Sequence, residues 1–176
     1  MITTTILKAL KSNSWKIPRS QYDWYKSKNA SEDILKYTSL NGKTFGCKME
    51  KLLREHFNMK KSTTSEYDHT KNGKTIEQKS ARWGRDGAHW KWQHIEMKHP
   101  WDYLLICGLD YDGIVCHITT YDNIKECISK GYIKGQGKHG DPNQAYWFEK
   151  SWIPKDIFDK MFQSIETEDQ LNDYIK

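Results

Sequence analysis

Three side chains in this sequence have types and spacing suited to one piece of chemistry: Asp68, Glu77 and Lys79, with Glu50 on a helix-forming stretch upstream. Asn72-Gly73 separates Asp68 from Glu77, and that dipeptide is the strongest short-range signal for a two-residue type I′ hairpin. Counting outward from the turn pairs Lys71 with Lys74, Thr70 with Thr75 and His69 with Ile76, and sets Asp68 opposite Glu77. Side chains alternate along a strand, so Asp68, Glu77 and Lys79 should share one face, with Gln78 and His69 on the other. Opposed carboxylates destabilise a sheet unless something positive lies between them. A divalent cation meets that need: two carboxylates and a nearby backbone carbonyl, assigned to Gln78, are the hard oxygen ligands that Mg²⁺ prefers, with water and phosphate oxygens completing the shell. Lys79 would then hold or activate an attacking water and offset charge growing on a phosphate. A second Glu-x-Lys, Glu96-Met97-Lys98, has Asp86 upstream, but Asp86 lies in the stretch Trp83-Gly84-Arg85-Asp86-Gly87, where no strand register can be argued.

The elements that must position these groups are legible in outline. Ser31 caps a helix beginning Glu-Asp-Ile-Leu, and after Asn41-Gly42 a stronger helix carries Phe45, Met49, Leu52, Leu53 and Phe57 at helical spacing, with Glu50 on it. Strands are expected over residues 64–70, 74–83, 103–109 and 114–120. The stretch from Asp110 to Gly113 should fold Leu104-Leu105-Ile106 back against Ile114-Val115-Cys116 as a second hairpin. A short helix near residues 123–129, a polar glycine-rich loop over 131–143, a helix after Pro154 and a last one near Thr167 complete the chain. The expected fold is α/β, a mixed, mostly hairpin-built sheet flanked by helices. It divides into an N-terminal helical region (1–45), a catalytic core (46–120) and a C-terminal region of loop and helices (121–176), all in one domain.

Composition narrows the partners. The chain of 176 residues has 28 basic and 23 acidic side chains, a formal charge of +5, which attracts a polyanion only if the cations gather on one face. Eight tryptophans and ten tyrosines, several beside Lys, Arg or His, suit a surface that lies along nucleic acid as well as a packed core. Cys47, Cys107, Cys116 and Cys127 form no C-x-x-C pair and read as reduced, buried thiols. No H-N-H or paired-His spacing unites His69, His94 and His117 into a metal cluster. The first ten residues lack a secretion signal and the longest apolar run is too short to span a bilayer, so a soluble, cytoplasmic protein with no membrane partner is expected.

The run Ser65-Glu66-Tyr67-Asp68-His69, followed by Glu77-Gln78-Lys79-Ser80-Ala81-Arg82, resembles the core of the PD-(D/E)xK nucleases, especially the small type II restriction endonucleases. The helix Gly46-Cys47-Lys48-Met49-Glu50-Lys51-Leu52-Leu53 is similar to the family's preceding helix. Tyr67 stands where the signature has Pro. The resemblance implies a restriction-endonuclease-like core in which Asp68, Glu77 and Gln78 hold Mg²⁺, Lys79 acts in catalysis and Glu50 supports the metal site. It implies hydrolysis of double-stranded DNA at a short specific site, by a homodimer whose two-fold axis matches that of the DNA, with a companion methyltransferase. A repair or junction-resolving nuclease, or a non-catalytic DNA-binding module, are the alternatives. The basic and aromatic stretch Arg82-Trp83-Gly84-Arg85 and His89-Trp90-Lys91-Trp92-Gln93-His94 offers DNA contacts through Arg82, Arg85, Lys91, Gln93 and His94, with Trp90 and Trp92 divided between groove and core. Lys138 and Gln144, in the late glycine-rich segment, are further candidates; that segment lacks the G-K-[ST] ending of an ATP site.

Overall fold

The structure, a computed structural model, describes residues 2–3, 19–83, 90–137 and 145–176. Its centre is a mixed sheet. In chain order the elements are β1 (Ile2–Thr3), α1 (Arg19–Ser27), α2 (Glu32–Thr38), α3 (Gly42–His56), β2 (Lys60–Lys61), β3 (His69–Lys71), β4 (Lys74–Arg82), β5 (Lys91–Glu96), β6 (Tyr103–Leu109) and β7 (Gly113–Thr120). They continue with α4 (Tyr121–Ser129), β8 (Lys134–Gln136), β9 (Ala145–Glu149), a 3₁₀ turn, α5 (Lys155–Met161), β10 (Gln163–Ile165) and α6 (Glu168–Tyr174). The main sheet runs β1-β7-β6-β4-β3-β2, with β10 also paired to β7, and β4 lies parallel to β6 while the remaining pairs are antiparallel. A second sheet, β5-β9-β8, is antiparallel throughout.

Local signals set many of these boundaries. Ser31 and Asn41 accept the backbone N–H of Ile34 and Thr44 and so cap α2 and α3. Phe45, Met49, Leu52 and Leu53 form the buried stripe of α3, and Asn58 ends it in the left-handed region at φ 48°. Thr167 and Gln170 complete a capping box on α6. Asn72 and Gly73 take φ of 51° and 78°, the backbone that a type I′ turn needs and that glycine adopts without a Cβ penalty.

Two apolar clusters cover the two faces of the main sheet. On one, Tyr25, Ile34, Phe45, Met49, Leu53 and Phe57 pack on Ile76, Leu105, Cys107, Leu109, Cys116 and Ile118. On the other, Ala81, Leu104 and Ile106 meet Trp90, Trp92, Ile95, Phe148, Ile124 and Phe158. Every residue of β6 is buried, as expected of a strand covered on both sides. Trp90 and Trp92 are core: their indole N–H groups donate to the carbonyls of Leu109 and Cys107 at 3.0 Å each. Gly108 allows this, because a Cβ there would lie 2.4 Å from the Trp90 ring.

Several expectations change. Residues 64–68 are not strand: Ser62 and Thr64 hydroxyls accept nearby backbone N–H groups and bend the chain, so β3 begins at His69. The β6–β7 hairpin turns at Asp110 to Gly113 as expected and pairs Leu109 with Ile114, which sets Leu104, Leu105 and Ile106 opposite Thr119, Ile118 and His117. The C-terminal region holds strands β8, β9 and β10 besides its helices, and α3 crosses the 45/46 division. Cys47 is exposed, while Cys107, Cys116 and Cys127 are buried thiols. Among the described residues no helix is long and apolar enough to cross a membrane.

Candidate active site

The hairpin pairs Lys71 with Lys74, Thr70 with Thr75 and His69 with Ile76, in the register counted from the turn. The ladder stops there. Asp68 does not pair with Glu77; its N–H donates to the Ile76 carbonyl at 3.1 Å and its Oδ2 accepts the Gln78 N–H at 2.8 Å. A carboxylate thus stands where the next strand backbone would be, and it satisfies a β4 donor that the parting of β3 from β4 leaves open. The same step brings Asp68 close enough to Glu77 and Glu50 for its charge to act on both.

Glu77 and Lys79 sit on the face of β4 that carries Ala81, toward the second layer, and the Lys79 ammonium is ion-paired with Glu77 Oε1. Burial pushes the Glu77 carboxyl up to about 7; Lys79 opposes the rise, while Asp68 and then Glu96 add to it. Glu50, half-buried on α3, is raised by burial and by Asp68, and Lys79 draws it back. Three carboxyl groups and one ammonium therefore share an electrostatic neighbourhood, in which Glu50 and Glu77 are held against their preference for ionisation.

The other face of β4 is a support. Gln78 Oε1 accepts a hydrogen bond from His69 Nε2 at 2.9 Å, and Gln78 Nε2 donates to Ser80 Oγ at 3.0 Å. Burial lowers the His69 imidazole. The Gln78 side chain thus points away from the Glu77 carboxylate, as alternation requires.

An open cleft of about 660 Å³ runs along β4 from Gln78 to Arg82. Gly42, Phe45, Gly46 and Glu50 of α3 form one wall, and Lys91, Gln93 and His94 of β5 line it from the second sheet. A β-bulge between Trp92 and Ile95 puts His94 at φ 58° and lets its N–H donate to Gln136 Oε1 at 3.0 Å. Bulges of this kind re-aim side chains beside active sites.

Of the candidate DNA contacts, Lys91, Gln93 and His94 line this cleft. Arg82 reaches it but turns inward: its Nη1 donates to the carbonyls of Tyr37, Thr38 and Leu40 at 3.4, 2.8 and 2.7 Å, and its guanidinium lies over Phe45. Burial lowers its affinity for the proton. Arg82 ties β4 to the α2–α3 junction instead of standing free for a base. Arg85, Lys138 and Gln144 lie outside the described residues. Sequence reasoning missed Gln21, Lys43 and Ser80 in the cleft lining and Glu96 beside Glu77. Only Glu96 had a signal, its own Glu-x-Lys spacing.

The donor set suits a hard divalent cation. Gln78 N–H occupies one Asp68 oxygen and Lys79 one Glu77 oxygen, and among the described residues no hydrogen bond engages the second oxygen of either. Among those residues no three His, Cys, Asp or Glu side chains form a ready metal cage. Mg²⁺ ordinarily takes one or two carboxylates and keeps water, with substrate phosphate supplying the rest, so a pair of carboxylates suffices. A cation beside the raised Glu77 carboxyl would favour its ionised form. No protein-family model matches this chain, and neither a curated protein nor a solved structure matches it.

Proposed function

We propose that this protein is a Mg²⁺-dependent endonuclease with a restriction-endonuclease-like core, hydrolysing phosphodiester bonds of double-stranded DNA at a short specific site in the manner of a type II restriction enzyme. The observation that carries the reading is the meeting of Glu50, Asp68, Glu77 and Lys79 at the parting of β3 and β4, beside an open cleft.

Asp68 and Glu77 are the groups that would hold the cation. When bound, it supplies Lewis-acid polarisation of the phosphoryl oxygen and makes water a better nucleophile. Lys79, released from its pairing with Glu77, is placed to orient the attacking water and to offset charge building on the phosphate. Glu50 reinforces the negative field, and Gln78 anchors Asp68 through its N–H while His69 and Ser80 hold the Gln78 side chain. Lys91, Gln93 and His94 face the cleft, where they can bind phosphate or read base edges. A homodimer with one such cleft per strand, cytoplasmic and accompanied by a methyltransferase, completes the reading.

The test is digestion of unmethylated plasmid or phage DNA by purified protein in Mg²⁺ and in EDTA. Discrete, Mg²⁺-dependent fragments are expected. Binding without cleavage across DNA forms and divalent metals would contradict catalysis and favour a DNA-binding module.

A further inference from the structure

The small sheet β5-β9-β8 buries one face and presents the other. Trp92 and Phe148, paired across β5 and β9, point into the core, so alternation turns Lys91, Trp147, Glu149, Lys134 and Gln136 outward. On that outer face Lys91 Nζ lies 4.7 Å from the Trp147 ring centre and Lys134 Nζ lies 4.1 Å from that of Trp152. The two rings meet edge to face at 4.5 Å. Lys91 also pairs with Glu149 at 3.0 Å, and it lines the cleft beside Lys79 and Glu50.

A lysine on an exposed strand usually loses rotamer freedom when it grips a ligand. Here the ring faces already hold both ammonium groups, so that loss is partly met before a ligand arrives. The rings are covered by cations and are poorly disposed to stack bases, so the chemistry offered is fixed positive charge. It is continuous with the cleft through Lys91.

We propose that the outer face of this sheet is a docking surface for the phosphodiester backbone of duplex DNA, with Lys134 and Lys91 contacting phosphates from positions set by Trp152 and Trp147. It rests on the nuclease reading and extends it: the cleft takes the scissile phosphate, and the sheet takes the flanking backbone. Glu149 tempers the grip by pairing with Lys91.

The experiment is fluorescence anisotropy of a labelled duplex of about 30 base pairs with the full chain carrying Lys79→Ala, in EDTA, over about 25–200 mM NaCl. Lys134→Ala should lower the slope of log affinity against log salt by about 0.9, which is about eight-fold in affinity per decade of salt. Trp152→Ala should weaken binding with the slope retained, because the charge stays while its support is lost. Glu149→Gln should tighten binding. Lys125→Ala, which removes a cation above Tyr121 on α4, should change nothing. Thermal melts confirm that each variant folds. A folded Lys134→Ala with parental slope and affinity overturns the proposal. If the Lys79→Ala parent binds and the unsubstituted chain cleaves while the sheet variants bind like the parent, only this inference fails. If neither form binds duplex DNA, or both prefer single strands or RNA, the nuclease reading falls with it.

Discussion

The chain contains two Glu-x-Lys pairs of identical spacing, and the fold gives them different chemistry. Glu77 and Lys79 lie on β4, a strand inside the main sheet, with side chains only 10% and 21% exposed. Glu96 and Lys98 lie at and just beyond the end of β5, 37% and 42% exposed, and Glu96 shares its charge between Lys98 at 3.9 Å and His99 at 3.4 Å. Burial drives the Glu77 carboxyl up to about 7, and Asp68 adds to the rise. The spacing is the same; desolvation and the second carboxylate distinguish a buried pair with a raised carboxyl from a solvated one. The pairs are also neighbours, since Glu96 contributes to the field on Glu77.

That contrast is broken most sharply by charge removal. Glu77→Gln should reduce Mg²⁺-dependent cleavage by at least about 10²–10³-fold, whereas Glu96→Gln should leave it within a few-fold. Equal losses in plasmid assays would erase the distinction between the strands. Next in size is the layer that carries Glu96. Gly108→Ala puts a Cβ into the Trp90 ring and should cost about 1–3 kcal/mol of stability, read as a fall in Tm of about 2–4 °C per kcal/mol. Unchanged stability would mean that Trp90 is free to leave its seat.

Smaller effects come from pH, and two buried groups act in opposite senses. Glu77 has a folded pKa raised from 4.5 to about 7, so its contribution favours the cation-free fold at low pH and is lost as pH rises through about 7. Melts in EDTA should therefore show Tm falling over that window, with the fall absent in Glu77→Gln and reduced by Mg²⁺. His117 is lowered from 6.5 to about 4 by burial, with Lys150 adding to the effect and Asp159 opposing it. Its contribution is present above 6.5 and lost as pH falls toward 4. His117→Leu should flatten the acid limb alone, and an unchanged acid limb would show that His117 is not the group responsible.

What could be read beforehand divides along the range of the interactions. The α3 stripe and the β3–β4 register depend on residues close in sequence, and Phe45 to Leu53 and Lys71 to Ile76 follow the expected pattern. The strand at Ala145–Glu149 is stabilised by partners far away in the chain and by burial of Phe148 against Trp92, so its local composition gave a weak signal. The second hairpin turns at Asp110 to Gly113, the stretch expected, with the Asp110 N–H donating to the Gly113 carbonyl at 2.7 Å, and the register of β6 on β7 follows from that turn. Asp68 shows the limit of such counting inside the site. The count from the turn set it opposite Glu77 in the ladder, whereas β3 begins at His69 and the Asp68 carboxylate takes the Gln78 N–H in place of backbone pairing. Arg82 sat in a basic run that reads as a DNA contact, and only the tertiary fold reveals three carbonyls awaiting its guanidinium.

The most direct measurement is single-turnover cleavage of one DNA substrate in Mg²⁺ by the unsubstituted chain, Lys79→Ala and Lys98→Ala. We predict a loss of about 10²–10³-fold in the first variant with DNA binding retained, and a rate within a few-fold of the unsubstituted chain in the second. Equal rates in all three, or loss only with Lys98→Ala, would contradict the assignment of the chemistry to β4.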